Sequence, residues 1–287
     1  MRFGLLVPLF GAYADARVLA ALAHEAETAG WEGFFLWDHV FTEWPDQVVD
    51  PWVALTAIAL STEQIRFGTL VTPLPRRRPW KLARETVSLD HVSNGRLTLG
   101  VGLGEYIQEF DYLDEPGDLK VRAAMLDEGL EVLTGLWQGR LFSYPGEYYR
   151  IREALLMPTP VQQPRIPIWV AGQWPKKAPF RRAARWDGVF PLNHEDYMND
   201  LSPEQFRHIL SYIREHRSAA APFDLVLKRN NLAKDRGEDR AAVAAYEKAG
   251  VTWWVEGISP WRFGWQGDGA WPLAAMHDRI FLGPPRA

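Results

Sequence analysis

Two side chains suited to proton transfer, Asp38 and His39, stand side by side directly after the short apolar run 33–37. Imidazole changes its charge near neutral pH, and a neighbouring carboxylate can tune it for use as a general base. The pair therefore indicates acid–base chemistry at the end of a strand. The alternative interpretation is structural, with Asp38 capping a loop and His39 satisfying backbone groups.

A second acid, Glu105, follows a run in which Gly100, Gly102 and Gly104 alternate with apolar residues. Glycines let a flat or anionic ligand approach the backbone closely. The run differs from the dinucleotide fingerprint, because its third glycine falls one residue early and no helix is expected to follow at once. If Glu105 lies across a site from His39, one residue can accept a proton during the reaction while the other donates one. The structural alternative is that Glu105 caps a loop or forms a salt bridge.

Two segments are candidates for binding an anionic group. Residues 170–174 precede Pro175, which is expected to open a helix, and the backbone amides of a helix N-terminus favour phosphate. Three consecutive arginines at 76–78 follow the rigid, proline-containing segment 71–75. These arginines could bind an anionic ligand tail or form a solvated loop.

Aromatic residues are abundant, with 14 Trp, 14 Phe and 9 Tyr, and they can line broad pockets. Trp261, Phe263 and Trp265 follow Glu256 near the end of the chain and suit either a hydrophobic wall over a site or ordinary packing. The lack of cysteine excludes thiolate metal sites, iron–sulfur clusters and disulfides. The 7 histidines show no metal-ligand spacing, so no metal site is predicted.

Composition and length set limits on the class of protein. Hydrophobic residues make up 47% and charged residues 24% of the chain, which is typical of a globular enzyme. The net charge of -4 argues against a bulk electrostatic attraction to nucleic acid. The 287 residues suit either two domains of ordinary size or one α/β barrel.

Residues 2–14 have the order of parts of a signal peptide: a basic residue, an apolar stretch and a small-x-small triplet. The stretch is short, Gly4 and Pro8 interrupt it, and a helix is expected to begin at Asp15. We therefore interpret it as a buried first strand. No apolar run approaches the roughly 20 residues needed to cross a bilayer, so we expect a soluble, cytoplasmic protein without a membrane partner.

Short apolar runs alternate with helical patterns along the whole chain, which predicts a parallel sheet. The predicted strands are 2–7, 33–37, 65–71, 97–101, 166–171, 188–191, 223–228 and 251–256. The predicted helices are 15–29, 51–61, 79–93, 119–137, 176–185, 202–216, 235–249 and 268–282. Eight such units in a single domain, 1–287, favour an α/β fold of the closed (β/α)8 TIM-barrel type over an open doubly wound sheet. Residues 139–165, with a hairpin at 141–151, form an excursion between strands four and five.

Three segments, 29–39, 94–102 and 181–188, carry a resemblance to a known family. They resemble the bacterial luciferase-like oxidoreductases, (β/α)8 barrels that use FMN or coenzyme F420, and the similarity extends over 2–191. The resemblance implies a cofactor ring across the barrel mouth near the end of strand three, and a phosphate site after strand five. The implied cofactor-binding residues are Asp38, Val71, Thr72, Gly102, Gly104, Gln108, Ala171, Gly172, Gln173 and Trp174.

Residues 104–110 are similar to the Gly-Glu-x-x-x-Glu segment of the F420-dependent sugar-phosphate dehydrogenases, a branch of this family. In that branch a histidine is the base for the substrate alcohol and a glutamate is the acid at the deazaflavin ring. The resemblance therefore implies His39 and Glu105 as catalytic residues, with Gln108 at the ring or the ribityl chain. The sugar-phosphate lysines of that branch have no match here, so the expected small-molecule substrate is an apolar or aromatic alcohol, ketone or enone.

The same resemblance leaves an FMN-dependent alternative open. Asp-His pairs also occur in two-component monooxygenases of this family, which receive reduced FMN from a separate flavin reductase. The tryptophans that would line a dry pocket for such chemistry are Trp37, Trp44, Trp254 and Trp261. Glu105 favours F420, because monooxygenation has no evident need for an acid there.

Two alternatives from other functional classes are a flavin-binding carrier or sensor and a metal-dependent barrel hydrolase. The family resemblance also implies a homodimer formed through the helices 51–61 and 79–92. Their apolar content is equally consistent with packing on the barrel.

Overall fold

The computed structural model describes residues 1–42, 46–231 and 236–286. Its strands in chain order are β1 (Arg2–Val7), β2 (Gly33–Leu36), β3 (Arg66–Pro73), β4 (Leu97–Gly102), β5 (Phe142–Pro145), β6 (Arg150–Ala154), β7 (Ile168–Trp174), β8 (Gly188–Asn193), β9 (Asp224–Arg229) and β10 (Trp253–Gly257). Eight of them form a closed parallel barrel in the order β1-β10-β9-β8-β7-β4-β3-β2, and β5 pairs with β6 as an antiparallel hairpin. The predicted (β/α)8 TIM barrel is confirmed, and the open-sheet alternative is wrong.

Helices connect the barrel strands. They are α1 (Ala16–Thr28), α2 (Pro51–Ser61), α3 (Pro79–Val92), α4 (Gln108–Asp111), α5 (Leu119–Leu136), α6 (Lys177–Ala183), α7 (Pro203–His216), α8 (Arg236–Lys248) and α9 (Leu273–Phe281). Asp15 and Asp50 accept hydrogen bonds from first-turn N–H groups, and Ser202 forms a capping box with Gln205, as their positions predict. Within the described ranges, we find no helix with the length and apolar character that a membrane span requires.

The starts of the last two helices differ from the sequence-based prediction or lie outside the described residues. The last helix begins at Leu273 rather than at Asp268, because Gly269 has left-handed backbone (φ 71°) and Pro272 stands directly before the helix. The predicted start of the preceding helix, Asp235, lies outside the described residues.

The barrel interior is filled by side chains that alternate along the strands. Phe35, Trp169 and Trp253 meet at its centre, with ring centroids 5.3 to 5.9 Å apart. Side chains two residues further along their strands lie above this layer, among them Trp37 and Ala171. Since strand residues alternate between the two faces, the aromatic layer makes the floor of the mouth at the carboxyl ends of the strands.

The excursion between β4 and β7 packs on the outside of the barrel. The hairpin of β5 and β6 is held by Glu128 of α5, whose carboxylate accepts three backbone N–H groups from residues 147–149. The following segment is fixed by Asp90, which is fully buried and accepts hydrogen bonds from the backbone N–H groups of Val161 and Gln162. The hairpin predicted for this region is therefore present.

Candidate functional site

A cavity of about 480 Å³ opens at the carboxyl ends of the strands, the end of a TIM barrel that carries active sites. Its lining residues are Phe10, Trp37, His39, Phe41, Thr42, Glu105, Tyr106, Ile107, Gln108 and Trp261. A smaller cavity of about 320 Å³ adjoins it and shares Phe41, Thr42, Tyr106 and Gln108. The structure thus brings both predicted catalytic residues, His39 and Glu105, to one cavity.

Small residues of β4 and β7, Gly102 and Ala171, lie next to Val71 at the mouth end of the barrel interior. The register of β3 against β4 shifts between Thr69 and Thr72, and the peptide between Leu70 and Val71 is cis. The side chain of Val71 packs against the barrel interior. A Cβ added to Gly102 would lie 2.7 Å from Cγ2 of Val71. Any residue larger than glycine at position 102 would therefore clash with Val71 unless that side chain moved.

Asp38 does not face the cavity. Its side chain is completely buried and receives hydrogen bonds from Arg76 (2.9 Å), Arg77 (2.7 Å) and the hydroxyl of Thr72 (2.8 Å). The Asp38 carboxylate and the Thr72 hydroxyl are thus engaged with groups of the protein, and their contact with a cofactor stays a prediction. Arg76 and Arg77 form internal ion pairs with Asp38, so the solvated-loop alternative does not describe these two side chains.

The carboxylate that contacts the imidazole of His39 is Glu109, with 3.4 Å between Nδ1 and Oε2. Glu109 is only 1% exposed; it forms an ion pair with Arg76 and accepts the backbone N–H of Val40. Burial would raise the pKa of Glu109, but the hydrogen bond from His39 and the charge of Arg76 outweigh it and lower the pKa. The second glutamate of the Gly-Glu-x-x-x-Glu segment was the sequence signal for this residue, and no role was inferred from it.

Glu105 stands on the cavity wall and remains open to solvent through the mouth. Desolvation by the surrounding protein raises the pKa of its carboxyl group, although the charges of Lys228 and His39 and a hydrogen bond from Tyr197 oppose the shift. Burial and the Glu105 charge raise the pKa of Tyr197 to about 12. Glu105 therefore keeps its proton to higher pH than a free glutamate does.

Lys228 and Tyr197 were missed in the sequence. Lys228 follows Val226 by two positions in β9, so strand alternation turns it into the barrel mouth, where its Nζ donates to the backbone oxygen of Tyr197 at 3.4 Å. Burial lowers the pKa of Lys228, against the opposing charges of Glu105 and Asp200. The alternation of side chains in β9 could have predicted that Lys228 points into the barrel mouth. Tyr197 lies in a loop, where no periodic pattern predicts the direction of a side chain.

The predicted phosphate segment is divided between two faces of β7. Ala171 packs at the mouth. Gln173, on the same face by alternation, accepts a hydrogen bond from Lys176 and lies 3.0 Å from Nδ1 of His194. A Cβ on Gly172 would lie 2.4 Å from Pro179, so Gly172 faces α6.

Trp174 also faces away from the mouth. It is 8% exposed and packs against Phe180 of α6, and the ammonium of Lys177 lies 3.8 Å from its ring centroid. Its ring therefore does not line the cavity, and its contact with a cofactor stays a prediction. The short helix α6 begins at Lys177 and not at Pro175.

One wall of the cavity is aromatic. Trp37 and Trp261 stack with an interplanar angle of 7°, and Phe10 lies against both. Trp254 was predicted to line this pocket, but it is fully buried on the outer face of β10, where its Nε1 donates to Glu256. Trp44, predicted for the same pocket, lies outside the described residues.

Glu256 is not part of the pocket wall either. It is 1% exposed and pairs with Arg262 and Arg279. Arg262 belongs to the short 3₁₀ helix Pro260–Phe263, which also carries Trp261. The buried ion cluster thus fixes the segment that holds the aromatic wall. Among the residues that the structure describes, no group of three or more His, Asp or Glu side chains is arranged to hold a metal ion.

Comparison with known proteins defines the class to which this barrel belongs. The family model described as luciferase-like monooxygenase matches residues 1–272. The chain belongs to this family, and its relatives include both F420-dependent and flavin-dependent enzymes.

Individual relatives divide between the two cofactors. The chain is 36% identical over 231 residues to the F420-dependent hydroxymycolic acid dehydrogenase of Mycobacterium tuberculosis, covering 79% of this chain and 61% of the relative. It is 30% identical over 203 residues to the oxygenase component of the flavin-dependent trigonelline monooxygenase of Acinetobacter baylyi, covering 69% and 54%. The chain spans only between 54% and 61% of the length of these curated relatives.

A solved structure of an F420-dependent secondary alcohol dehydrogenase superposes with a TM-score of 0.74 at 17% identity, covering 89% of this chain and 92% of that one. At that identity the likeness establishes the common fold.

Proposed function

We propose that the protein is an F420-dependent oxidoreductase that moves a hydride between the cofactor and an apolar or aromatic alcohol, ketone or enone. The observation that carries this proposal is the placement of a base, His39, and an acid with a raised pKa, Glu105, on the wall of one aromatic cavity. Acid–base pairs of this kind serve reactions in which a hydroxyl proton and a hydride leave together.

The floor of the mouth fits a flat cofactor. Val71, Gly102 and Ala171 present little side-chain bulk there, and Gln108 lines the adjoining cavity. F420 supplies a two-electron hydride acceptor when it is bound. Beside it, His39 would take the hydroxyl proton of the substrate at Nε2, and Glu105 would hold a proton on the wall of the same cavity. The stacked rings of Trp37 and Trp261 would give a bound substrate an apolar wall beside these two residues.

An FMN-dependent two-component monooxygenase is the second candidate. The apolar wall of Trp37 and Trp261 favours it, as does the similarity to the oxygenase component from Acinetobacter baylyi. A flavin reductase would then be the partner protein. Glu105 would have no evident task in this chemistry.

Titration of the purified protein with F420 and FMN in parallel, followed by fluorescence, tests the choice of cofactor. We expect F420 to bind in the micromolar range or tighter and FMN to bind at least about tenfold more weakly, a difference of about 1.4 kcal/mol. The reverse preference would move the proposal to the monooxygenase, and oxygen consumption with a reductase would be the next assay. Failure to bind either cofactor would contradict both candidates.

Replacement of Glu105 by glutamine tests the acid. In the wild type, single-turnover oxidation of an alcohol should slow as the pH rises through the raised pKa of Glu105, because the fraction of protonated carboxyl falls. The variant should lose this limb of the pH profile and react about 10²-fold more slowly at its optimum, with F420 affinity within a few-fold. Glu204→Gln, at an exposed position of α7, is the control. Unchanged turnover in Glu105→Gln would refute the role.

Three further features belong to the same proposal. We propose one domain over 1–287, a homodimer and a cytoplasmic location. Exposed apolar side chains on two adjacent helices support the homodimer: Val53 and Leu60 on α2, and Trp80 and Val92 on α3. Sedimentation of the purified protein would test it.

A further inference from the structure

The two ring nitrogens of His39 meet different surroundings. Nδ1 lies 3.4 Å from Oε2 of Glu109. The imidazole lines the cavity with 24% of its side chain exposed, and across 1–42, 46–231 and 236–286 no protein group is seen to bond Nε2. In a neutral imidazole one nitrogen donates and the other accepts, so the partner of one nitrogen determines the role of the other.

Glu109 is suited to accept a hydrogen bond from Nδ1. An ionised carboxylate only accepts, and protein donors approach both of its oxygens: the N–H of Val40 at Oε1 and the guanidinium of Arg76 at Oε2. The pKa of Glu109 is lowered in spite of burial, so the group is ionised at neutral pH. A donor at Nδ1 satisfies this carboxylate, whereas a lone pair at Nδ1 would face it repulsively.

The position of Glu109 is fixed by groups other than His39. Arg76, whose side chain is 4% exposed, bridges Glu109 and Asp38, and Arg77 binds Asp38 from the other side. The two guanidinium groups and the two carboxylates balance in formal charge. A proton gained by His39 would therefore add one positive charge next to a carboxylate that is already held in place.

We propose that Glu109 is the positioning residue of His39: it accepts the Nδ1–H and leaves the Nε2 lone pair directed into the cavity as the base. The inference rests on the proposed function for the role of His39 as a base, but the tautomer itself depends only on this chain. When a substrate alcohol is oxidised, its O–H bond would break and the proton would go to Nε2, while the hydride on the adjacent carbon would leave to the acceptor that F420 would supply under the proposed function. The C=O bond forms with the remaining electron pair, and Glu109 stabilises the imidazolium.

The tautomer can be measured without cofactor or substrate. The ¹⁵N shifts of the imidazole, assigned by their loss in His39→Asn, report which nitrogen carries hydrogen at a pH where the ring is neutral. We expect Nδ1–H as the dominant form in the wild type. A dominant Nε2–H form would overturn the proposal, and this spectrum of the wild type decides the matter even when a variant fails to fold.

Glu109→Gln, Glu109→Asp and Asp90→Asn separate positioning from stability. The amide of Glu109→Gln has one donor and one acceptor where both carboxylate oxygens accept, so the Nδ1–H form should lose its dominance. Asp90 is an equally buried carboxylate with backbone N–H partners away from the cavity. Asp90→Asn should lower the melting temperature and leave the His39 spectrum unchanged. An unchanged His39 spectrum in folded Glu109→Gln would refute the proposal.

The positioning role also predicts a kinetic effect, a lower kcat with KM nearly unchanged. With F420 and an alcohol, Glu109→Gln should lower kcat by about 10²-fold or more with KM within a few-fold, and Glu109→Asp should recover part of the rate. A wild-type rate in Glu109→Gln would contradict the positioning role. A wild-type protein that turns over no alcohol with F420, yet shows the Nδ1–H tautomer, would refute the proposed function and leave the tautomer assignment standing.

Discussion

Replacing His39 by asparagine is expected to lower kcat by about 10²–10⁴-fold and to leave cofactor affinity within a few-fold. The amide nitrogen of asparagine lies close to the position of Nδ1, so the hydrogen bond to Glu109 can persist while the base at Nε2 is lost. The wall of the cavity and its floor at Val71 and Gly102 stay intact. Stopped-flow single turnovers measure the rate, and a binding titration measures the affinity.

His24→Asn is the matched control for this experiment. His24 lies on α1, away from the cavity, and its Nδ1 contacts the backbone oxygen of Ser61. The control should react at the wild-type rate. A His39→Asn variant that also reacts at that rate would show that the substrate proton leaves by another route. Since both cofactor alternatives use this histidine, Glu105→Gln and the titration remain the experiments that separate them.

Replacing Glu256 by glutamine is expected to have the largest effect on stability, about 3–5 kcal/mol in the free energy of unfolding. Glutamine has no charge and keeps only one acceptor oxygen for Trp254, Arg262 and Arg279, so the two arginines remain as buried cations without their shared counter-ion. Urea denaturation measures the loss. Glu85→Gln, which breaks the exposed pair of Glu85 with Lys81 on α3, should cost about 0–1 kcal/mol and serves as the control.

The pH dependence of this effect has a definite sign. Burial by itself would raise the pKa of Glu256, but Arg262 and Arg279 outweigh it, and the folded pKa lies below the usual value. The stabilisation is therefore present above about pH 4.3, near the pKa of the unfolded group, and is lost as the pH falls through the folded pKa. The difference in the free energy of unfolding between the wild type and Glu256→Gln should therefore become smaller in acid. Equal stability of the two at neutral pH would contradict the role of the cluster.

The architecture was predictable because its signals are local. Each strand is a short apolar run and each helix has a stripe of apolar residues, and Asp15, Asp50 and Ser202 cap helices through bonds to their own first turns. Once eight such units are counted, closure into a barrel follows from the length of the chain. The predicted strand ends also brought His39 and Glu105 to the same mouth, because the carboxyl ends of parallel strands converge there.

The sequence did not predict which side chains of a strand point into the barrel and which point outward. Trp253 and Trp254 are neighbours in β10, yet one ring fills the barrel centre and the other bonds Glu256 on the outside. A shift of one residue reverses the face of every side chain in a strand. In an all-apolar buried strand both faces carry the same kind of residue, so the pattern does not reveal which tryptophan reaches a pocket.

The partners of the charged groups were decided only by the tertiary structure. Asp38 is adjacent to His39 in the chain, but its carboxylate forms ion pairs with Arg76 and Arg77. The imidazole of His39 instead contacts Glu109, which is 70 residues away in sequence. By itself, the sequence determined the barrel and the strand ends that carry a base and an acid. Which carboxylate meets which cation depends on how separate loops pack over the mouth. Side-chain contacts act over a few ångströms in space, and distance along the chain does not report them.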